Sequence, residues 1–417
     1  MIKVFAVCAI LLGSSVFSEE IYDNYEVITD IPFDMAGAKP KLFPSVTELI
    51  KSHGYPVESY EVQTEDGYLL TMHRIPHGLA REAGPAPNKR VAFLQHGLLC
   101  SSADWVVTGP STGLAYQLAD KGYDVWMGNA RGNTHSKAHI TLSPSSSEFW
   151  QFSWHEIGIY DVPAMIDYAL NETGQSRLYY TGHSQGTTVL FVLLSLRPEY
   201  NEKIILANAL APVSYMRNMK SPFFRALAPF VFILDKIASL LGINEFAPSS
   251  AMLQLGGFFL CRDQSIFQEI CANVIFLIGG FDSEQLNKTM LPQITYYTPA
   301  GASTKQFVHY GQLYNSGKFR QYDHGWLGNM QIYNTFTPPE YPIERITAPI
   351  ALYYSKNDWL SAVKDVEQLK SRIENILVKS YNVPYEKFNH LDFLWAIDVK
   401  TLVHNHVIAL MDQFPES

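Results

Sequence analysis

One short stretch restricts the possible folds of this chain more than any other. An apolar run, Tyr179 to Thr181, leads into Gly182-His183-Ser184-Gln185-Gly186, and an apolar helical pattern follows directly. A serine at the tip of such a strand-to-helix turn has a strained backbone, and the glycines on either side let strand and helix pack closely. The stretch therefore predicts an α/β sheet with the Ser184 hydroxyl exposed at the end of a strand, as a candidate nucleophile.

Strand-like runs alternate with helical patterns in two separated parts of the chain, which indicates a mostly parallel sheet with helices on both faces. The first part opens with a predicted hairpin, Tyr60 to Thr64 and Tyr68 to Arg74, and the second ends with a predicted helix from Val399 to Met411. The other predicted strands are Val91 to Gln95, Asp124 to Met127, Leu178 to Tyr180, Ile204 to Leu210, Ile350 to Tyr354 and Lys379 to Phe388.

The stretch between these two parts, from about Tyr215 to Pro342, has a different pattern of aromatic and apolar segments interrupted by proline and glycine. Connecting loops of α/β domains tolerate additions, so we interpret it as an inserted helical cap. The predicted organisation is a signal peptide over residues 1–18, a core over 19–214 and 343–417, and a cap and lid over 215–342. Gly256-Gly257, beside an apolar cluster, predicts a hinge for the lid.

The N-terminus has a basic start, an apolar run from Val4 to Phe17 and small residues before an acidic stretch. This pattern is typical of a secretory signal peptide, and the run is shorter than the roughly 20 apolar residues of a membrane anchor. In an oxidising compartment the close pair Cys261 and Cys271 is the expected disulfide, which leaves Cys100 free.

The same secretory route agrees with two glycosylation acceptors, Asn171 and Asn287. The net charge of −9 argues against a nucleic-acid partner. His135 and His139 have the spacing of some zinc ligands, but neither a helical pattern nor a third ligand accompanies them, so we predict neither a metal nor a cofactor. The sequence leaves the oligomeric state open.

Ser184 needs two partners to act as a nucleophile, because a histidine must remove its proton and an acid must orient that histidine. In the predicted fold these partners follow the serine in the order acid, histidine. Asp358 follows the predicted strand ending at Tyr354, and His390 follows the last predicted strand. We therefore predict that Ser184, Asp358 and His390 are the catalytic residues.

Other acids and histidines could take these roles but are better explained structurally. Asp323-His324 lies within the predicted cap and is interpreted as a structural turn. Asp392 is expected to cap the helix that follows it, a usual position for aspartate. His404 and His406 are expected on the surface of the terminal helix.

A tetrahedral intermediate would need two hydrogen-bond donors for its oxyanion. One is the backbone N–H of Gln185, the residue after the nucleophile. The second is expected from the loop after the strand ending at Gln95, where His96-Gly97-Leu98-Leu99 forms a turn, and we favour the N–H of Leu98. His96 is interpreted as a buried, hydrogen-bonded histidine with a supporting role.

Together these motifs resemble the acid lipase family, which comprises the gastric and lysosomal lipases and their insect relatives. The resemblance covers nearly the whole mature chain. Its motifs are Tyr55-Pro56, Thr64-Glu65-Asp66-Gly67-Tyr68, His96-Gly97-Leu98-Leu99, Asn129-Ala130-Arg131-Gly132-Asn133, Phe149-Trp150-Gln151-Phe152-Ser153, Tyr160-Asp161, Gly182-His183-Ser184-Gln185-Gly186 and His390-Leu391-Asp392-Phe393.

The resemblance implies an α/β-hydrolase core with a cap and lid, and hydrolysis of neutral lipid esters at a lipid–water interface by Ser184, Asp358 and His390. It also implies oxyanion donors at Leu98 and Gln185, a cap disulfide at Cys261 and Cys271, and a secreted or lysosomal protein. Two alternatives stay open: a carboxylesterase for small soluble esters, and a lipid-binding protein on a lipase scaffold. The large apolar cap favours a lipid substrate.

Overall fold

The computed structural model describes residues 43–80, 83–247, 260–262, 265 and 267–414. The predicted signal peptide and the predicted hinge at Gly256-Gly257 lie outside the described residues.

A mostly parallel sheet lies at the centre of the structure. The strands are β1 (Glu58–Gln63), β2 (Tyr68–Ile75), β3 (Val91–Gln95), β4 (Asp124–Gly128), β5 (Ala138–His139), β6 (Leu178–His183), β7 (Ile204–Leu210), β8 (Glu245–Phe246), β9 (Ala302–Ser303), β10 (Ile350–Tyr354) and β11 (Leu377–Asn382). The main sheet has the order β1-β2-β4-β3-β6-β7-β10-β11, with β5 paired to β2. The strands from β4 to β11 in this order are parallel, while β1 and β2 are antiparallel to their neighbours. β8 and β9 form a separate antiparallel pair.

Helices cover both faces of this sheet. They are α1 (Val46–Ser52), α2 (Leu114–Asp120), α3 (Trp154–Glu156), α4 (Val162–Thr173), α5 (Gln185–Leu196), α6 (Pro222–Leu227), α7 (Val231–Leu241), α8 (Gln268–Gly279), α9 (Leu291–Tyr297), α10 (Thr304–Ser316), α11 (Gly325–Tyr333), α12 (Val363–Arg372), α13 (Asp392–Trp395) and α14 (Asn405–Met411). α4, α5 and α12 contribute to one hydrophobic cluster, and α1, α2 and α14 contribute to the other.

The side chains of β3 show how the sheet separates these two clusters. Val91 and Phe93 belong to the first cluster, while Ala92 and Leu94 belong to the second. Because successive side chains of a strand point to opposite faces, the clusters lie on opposite sides of the sheet. The central strands are buried along their whole length, as parallel strands covered on both faces must be. The predicted fold class is therefore confirmed.

Two parts of the sequence prediction for the C-terminal region need correction. The last strand is β11, which ends at Asn382 instead of continuing to Phe388. Pro384 follows it and has no N–H to donate to the sheet, and the chain then turns, with the Phe388 N–H donating to the Tyr385 carbonyl. His404 is buried, not on the surface, because its ring contacts Gln117 and the Phe393 carbonyl. His406 is half-buried.

The region between β7 and β10 contains α6 to α11 and the β8–β9 pair, separate in sequence from the strands of the main sheet. A disulfide joins Cys261 to Cys271 in this region, and Cys100 is free and buried. Among the described residues, no helix combines the length and the apolar composition needed to cross a bilayer. The division into core and cap remains a prediction.

A buried ion-pair cluster joins the β1–β2 hairpin to the helical layer. The Arg131 side chain is 1% exposed and binds the carboxylates of Asp66, in the hairpin, and Asp161, which is fully buried. Asp161 also accepts from the Arg131 backbone N–H at 2.8 Å. It ends a π-helical turn, Ile157–Asp161, that continues directly into α4. The Arg131 guanidinium lies 3.9 Å from the centre of the Tyr68 ring.

We expect Asp161→Asn to lower the free energy of unfolding by about 3 kcal/mol, because buried Arg131 keeps its charge and loses one carboxylate. Urea unfolding followed by tryptophan fluorescence measures this change. The matched control is Glu199→Gln in the exposed Arg197–Glu199 pair, which should cost less than about 1 kcal/mol. Equal losses in the two variants would contradict the structural role of the buried cluster.

Candidate active site

Ser184 lies at the junction of β6 and α5 in a strained conformation. Its φ is 52° and its ψ is −116°, a region that non-glycine residues rarely occupy. The Ser184 N–H donates to the Leu210 carbonyl of the neighbouring strand β7, at 3.0 Å. The turn also directs the N-terminus of α5 towards the serine, where positive helix-end charge favours a developing anion. The hydroxyl was predicted to be exposed, but the residue is half-buried in a cavity wall.

The two glycines of the motif are required by close backbone approaches. A β-carbon on Gly186 would lie 2.2 Å from the carbonyl oxygen of Gln95 in β3, and one on Gly182 would lie 2.6 Å from the Gly186 backbone. Real β-carbons do not approach other atoms this closely, so any larger residue would push α5 away from the sheet. Gly97 also packs closely against Ser184. A β-carbon added to Gly97 would lie 3.2 Å from the β-carbon of Ser184.

The structure brings the three predicted catalytic residues together, although they are far apart in sequence. His390 Nε2 lies 2.7 Å from Ser184 Oγ, and His390 Nδ1 lies 2.8 Å from Asp358 Oδ2 and 3.0 Å from Oδ1. Asp358 is fully buried and His390 is 2% exposed. The Asp358 carboxylate accepts the Nδ1 proton, which leaves Nε2 free to accept the proton of the serine hydroxyl.

The loop after β10 fixes the direction of the Asp358 carboxylate. Its Oδ1 accepts from the backbone N–H groups of Leu360 at 2.9 Å and Ser361 at 2.7 Å. These bonds hold the carboxylate in one orientation, so the imidazole of His390 is held too.

His183 is a second histidine that orients His390, and the sequence analysis assigned it no role. Its Nε2 donates to the His390 backbone carbonyl at 2.9 Å. Burial lowers the pKa of His183 to about 3, so this ring stays neutral. Its place inside the Gly-x-Ser-x-Gly motif was a signal that could have drawn attention to it.

The end of α8 also contacts both loops that carry the partners of Ser184. The Gly279 carbonyl accepts from the backbone N–H of His390 at 3.2 Å and of Trp359 at 3.1 Å. The next residue, Gly280, packs so closely that an added β-carbon would lie 2.2 Å from the Asn357 carbonyl. No sequence motif signalled this contact, because it is made by backbone atoms of a distant segment.

An apolar cavity opens in front of Ser184, and a second apolar cavity lies next to it beneath α7. The cavity nearest the serine is lined by residues that include Leu98, His390 and Leu391. The second cavity extends to Leu234 and Ala238 of α7. The two cavities are adjacent, because six residues line both of them, namely Met216, Phe223, Phe224, Phe246, Phe307 and Tyr310.

Comparison with known proteins agrees with this fold. The family profile described as the α/β hydrolase fold matches residues 93–397, and that of the partial α/β-hydrolase lipase region matches residues 46–109. Lipase 3 of Drosophila melanogaster is 49% identical, over 91% of this chain and 95% of its own length. The chain belongs to the acid lipase family.

Mammalian members of the acid lipase family are also similar to this chain. Gastric triacylglycerol lipase of Mus musculus is 40% identical, over 91% of this chain and 94% of its own length. Lysosomal acid lipase/cholesteryl ester hydrolase of Homo sapiens has the same identity and the same coverage. A solved structure from Sulfolobus solfataricus shares the fold, with a TM-score of 0.55, 14% identity, and coverage of 86% of this chain and 94% of that chain.

In this member of the acid lipase family, the predicted oxyanion donors lie beside the serine. Gln185 follows Ser184 at the start of α5, and Leu98 lines the serine end of the cavity. His96 is buried, with Nδ1 donating to the Gly97 carbonyl and Nε2 accepting from the Ala130 N–H. The interpretation of His96 as a buried, hydrogen-bonded histidine is confirmed, and burial lowers its pKa to about 4.

Asp323 and Asp392, the alternatives to Asp358 as the catalytic acid, make structural contacts instead. Asp323 is bound locally by Gly325, Asn329 and Arg320, which confirms a structural turn. Asp392 was expected to cap the following helix, but this is wrong. It is buried in the first turn of α13 and accepts from the Asn389 N–H, while the Asn389 side chain accepts from the N–H groups of Leu391, just before that helix, and of Asp392.

The predicted glycosylation sites and the two histidines with zinc-like spacing have the following surroundings. Asn171 and Asn287 are both exposed, and their glycosylation remains a prediction. His139 accepts from the N–H groups of Thr141 and Leu142, whereas the ring of His135 packs against His73. Within the described ranges, no group of three or more His, Cys, Asp and Glu side chains is arranged to hold a metal ion.

Proposed function

We propose that the protein is a lipase that hydrolyses neutral lipid esters, triacylglycerols or sterol esters, through a covalent acyl-enzyme on Ser184. The observation that carries this proposal is the hydrogen-bonded series Ser184–His390–Asp358 at the wall of an apolar cavity. The names of the mammalian relatives support the same class of substrate. A catalytically silent lipid-binding protein would have no need of this series.

In the proposed reaction, His390 Nε2 takes the proton of Ser184 as Oγ attacks the ester carbonyl carbon. The N–H groups of Leu98 and Gln185 would stabilise the oxyanion. His390 then gives its proton to the leaving alcohol, and the acyl group stays on Ser184. Water, deprotonated by His390, attacks this acyl-enzyme, which releases the fatty acid and regenerates the serine. Asp358 stabilises the imidazolium at both steps.

The shape and chemistry of the cavity favour a long acyl chain over a small soluble ester. Thr304 and Tyr310 are the polar residue types in the cavity beneath α7, and apolar or glycine residues form the rest of its lining. A short-chain ester would leave this cavity empty of substrate. An acyl chain filling it would gain about 0.8 kcal/mol for each buried CH₂.

The surface of α7 supports action at a lipid–water interface. Leu234 and Ala238 of this helix line the cavity, whereas Leu240 and Leu241 are 86% and 64% exposed. An exposed apolar surface of this kind is favourable where lipid covers it. We infer that α7 belongs to a lid, that residues 215–342 form the cap, and that the protein is secreted or lysosomal after removal of residues 1–18.

The proposed function is tested by comparing emulsified long-chain triacylglycerol with a soluble short-chain ester. We expect the rate to rise steeply once the lipid exceeds its solubility, because aggregated lipid covers α7 and opens the cavity. Ser184→Ala is the control and should lose about a million-fold in kcat with both substrates. Smooth saturation without such a rise would contradict the lid, and activity retained in Ser184→Ala would contradict the mechanism.

Asp358→Asn should lower kcat by about 10⁴-fold while leaving the protein folded, because an amide favours the wrong tautomer of His390. Single-turnover kinetics with a chromogenic ester measures this loss. Asp323→Asn is the matched control, since its carboxylate binds only local groups among the described residues. Should Asp323→Asn prove the more damaging change, the assignment of the acid is wrong.

Ala238→Phe should fill the cavity beneath α7. We expect kcat/KM for a long-chain ester to fall by about tenfold or more, with the value for a short-chain ester unchanged within about twofold. The measurement is a chain-length series of esters with each variant. Equal losses for short and long chains would indicate that acyl chains bind elsewhere.

A further inference from the structure

The side chain of His96 joins the two loops that follow β3 and β4. His96 comes directly after β3, is 4% exposed and precedes the turn that carries Leu98. Its Nδ1 lies 2.8 Å from the Gly97 carbonyl oxygen. Its Nε2 lies 3.0 Å from the backbone nitrogen of Ala130 and 3.2 Å from Asn133 Nδ2, both in the loop after β4. The ring is therefore hydrogen-bonded at both nitrogens.

The partners of Nε2 decide which nitrogen of the His96 ring carries the proton. The Ala130 N–H and the NH₂ group of Asn133 can only donate, so Nε2 accepts and has no hydrogen of its own. A neutral imidazole has a single N–H, which must then be on Nδ1, where the Gly97 carbonyl accepts it. The surroundings of the ring thus select one tautomer.

This tautomer requires a neutral ring, and the site keeps the ring neutral. Burial is the largest cause that lowers the pKa of His96 to about 4, and nearby His135 also lowers it, while the bond to the Gly97 carbonyl raises it. His135 and His183, two titratable groups near the ring, are themselves buried histidines with pKa values lowered to about 4 and about 3. His96 is therefore uncharged at neutral pH.

The Gly97 carbonyl and the Leu98 N–H belong to one peptide unit. This peptide is planar and trans, so its carbonyl and its N–H point in opposite directions, and holding one holds the other. Besides the His96 ring, the Cys100 N–H donates to the Gly97 carbonyl at 3.2 Å. Within the described ranges the Leu98 N–H donates to no acceptor. Gly97 and Leu98 both line the cavity in front of Ser184, so this N–H is available to an oxyanion there.

The loop after β4 is held in place by buried contacts of its own. Asn129 is fully buried, and its side-chain oxygen accepts from Asn133 Nδ2 at 3.0 Å. Arg131 is ion-paired with Asp161, which also accepts from the Arg131 backbone N–H. The stretch from Asn129 to Asn133, which the sequence analysis noted only as a motif, therefore presents its backbone and side-chain donors to His96 from a fixed position.

We propose that His96 positions the oxyanion donor at Leu98, by holding the Gly97–Leu98 peptide through its Nδ1 proton. This inference rests on the proposed function, in which the Leu98 N–H stabilises the oxyanion. His96 touches none of the reacting atoms and acts through the peptide. Because the peptide is held before any ester binds, the donor is aimed in advance at charge that develops only in the transition state. His96 therefore affects the chemical step and not substrate binding.

Two amide substitutions separate the contacts of His96. The amide nitrogen of asparagine is as many bonds from Cβ as Nδ1 is, so His96→Asn can still donate to the Gly97 carbonyl but leaves the Ala130 N–H without an acceptor. The amide oxygen of glutamine is as many bonds from Cβ as Nε2 is, so His96→Gln can still accept from Ala130 but loses the donor to Gly97.

We expect kcat for an ester to fall about 100-fold in His96→Gln, with KM unchanged within about twofold, because the loss is confined to the transition state. His96→Asn should lose less than about tenfold in kcat but have a lower Tm, because a buried N–H has lost its acceptor. Steady-state kinetics and thermal unfolding measure these changes. His404→Gln, at another buried histidine, is the matched control and should keep the wild-type kcat.

A boronic acid with a long alkyl chain tests the oxyanion site without an ester. Ser184 Oγ bonds to boron, the serine proton passes to His390 Nε2, and an oxygen on the tetrahedral boron occupies the oxyanion position. A primary alcohol of the same chain length fills the cavity without forming this adduct. We expect His96→Gln to weaken inhibition by the boronic acid by about the factor lost in kcat, with inhibition by the alcohol unchanged within about twofold.

The tautomer of His96 is read by ¹⁵N NMR of the wild-type protein at about pH 7, with its signal assigned by its loss in whichever variant folds. A proton on Nε2, equal losses of kcat in the two amide variants, a parallel loss of inhibition by the alcohol, or failure of both variants to fold would overturn the positioning role. A wild type that binds the boronic acid but hydrolyses no ester would overturn the proposed function alone, and the boronic acid comparison would still test His96.

Discussion

The contact between Gly186 and the Gln95 carbonyl is the constraint on which the site depends. Since a β-carbon at Gly186 would lie 2.2 Å from that oxygen, α5 can approach β3 and β6 only because this position has no side chain. The close approach forces Ser184 into its positive φ. Folding of the sheet and its helices therefore maintains a backbone conformation that the serine would not adopt alone.

His390, by contrast, is positioned from several directions. The Asp358 carboxylate holds Nδ1, the His183 ring holds the backbone carbonyl, and the Gly279 carbonyl holds the backbone N–H. These groups belong to the loop after β10, the end of β6 and the end of α8. An imidazole restrained at ring and backbone has little freedom to reorganise during proton transfer, which is the property a general base needs.

A residue of the active site could be predicted from the sequence only where a motif or its order along the chain indicated its role. Ser184 has a motif, and Asp358 and His390 follow predicted strands in the order the fold requires, so their proximity could be anticipated. The carbonyl of Gly279, which accepts from the His390 N–H, has no side-chain signature in the sequence. His404 was misplaced because its polarity suggested exposure, whereas Gln117 of α2 supplies a buried partner for its ring.

The order of the site along the chain has a consequence during synthesis. Ser184 and His390 are separated by 206 positions, and the histidine lies near the C-terminus. The ribosome therefore completes the turn that carries Ser184, and the helices between β7 and β10, long before it adds His390. A chain that ends between these two residues has the serine without its base. An enzyme built in this way has no base for its serine until the turn after its last strand is made.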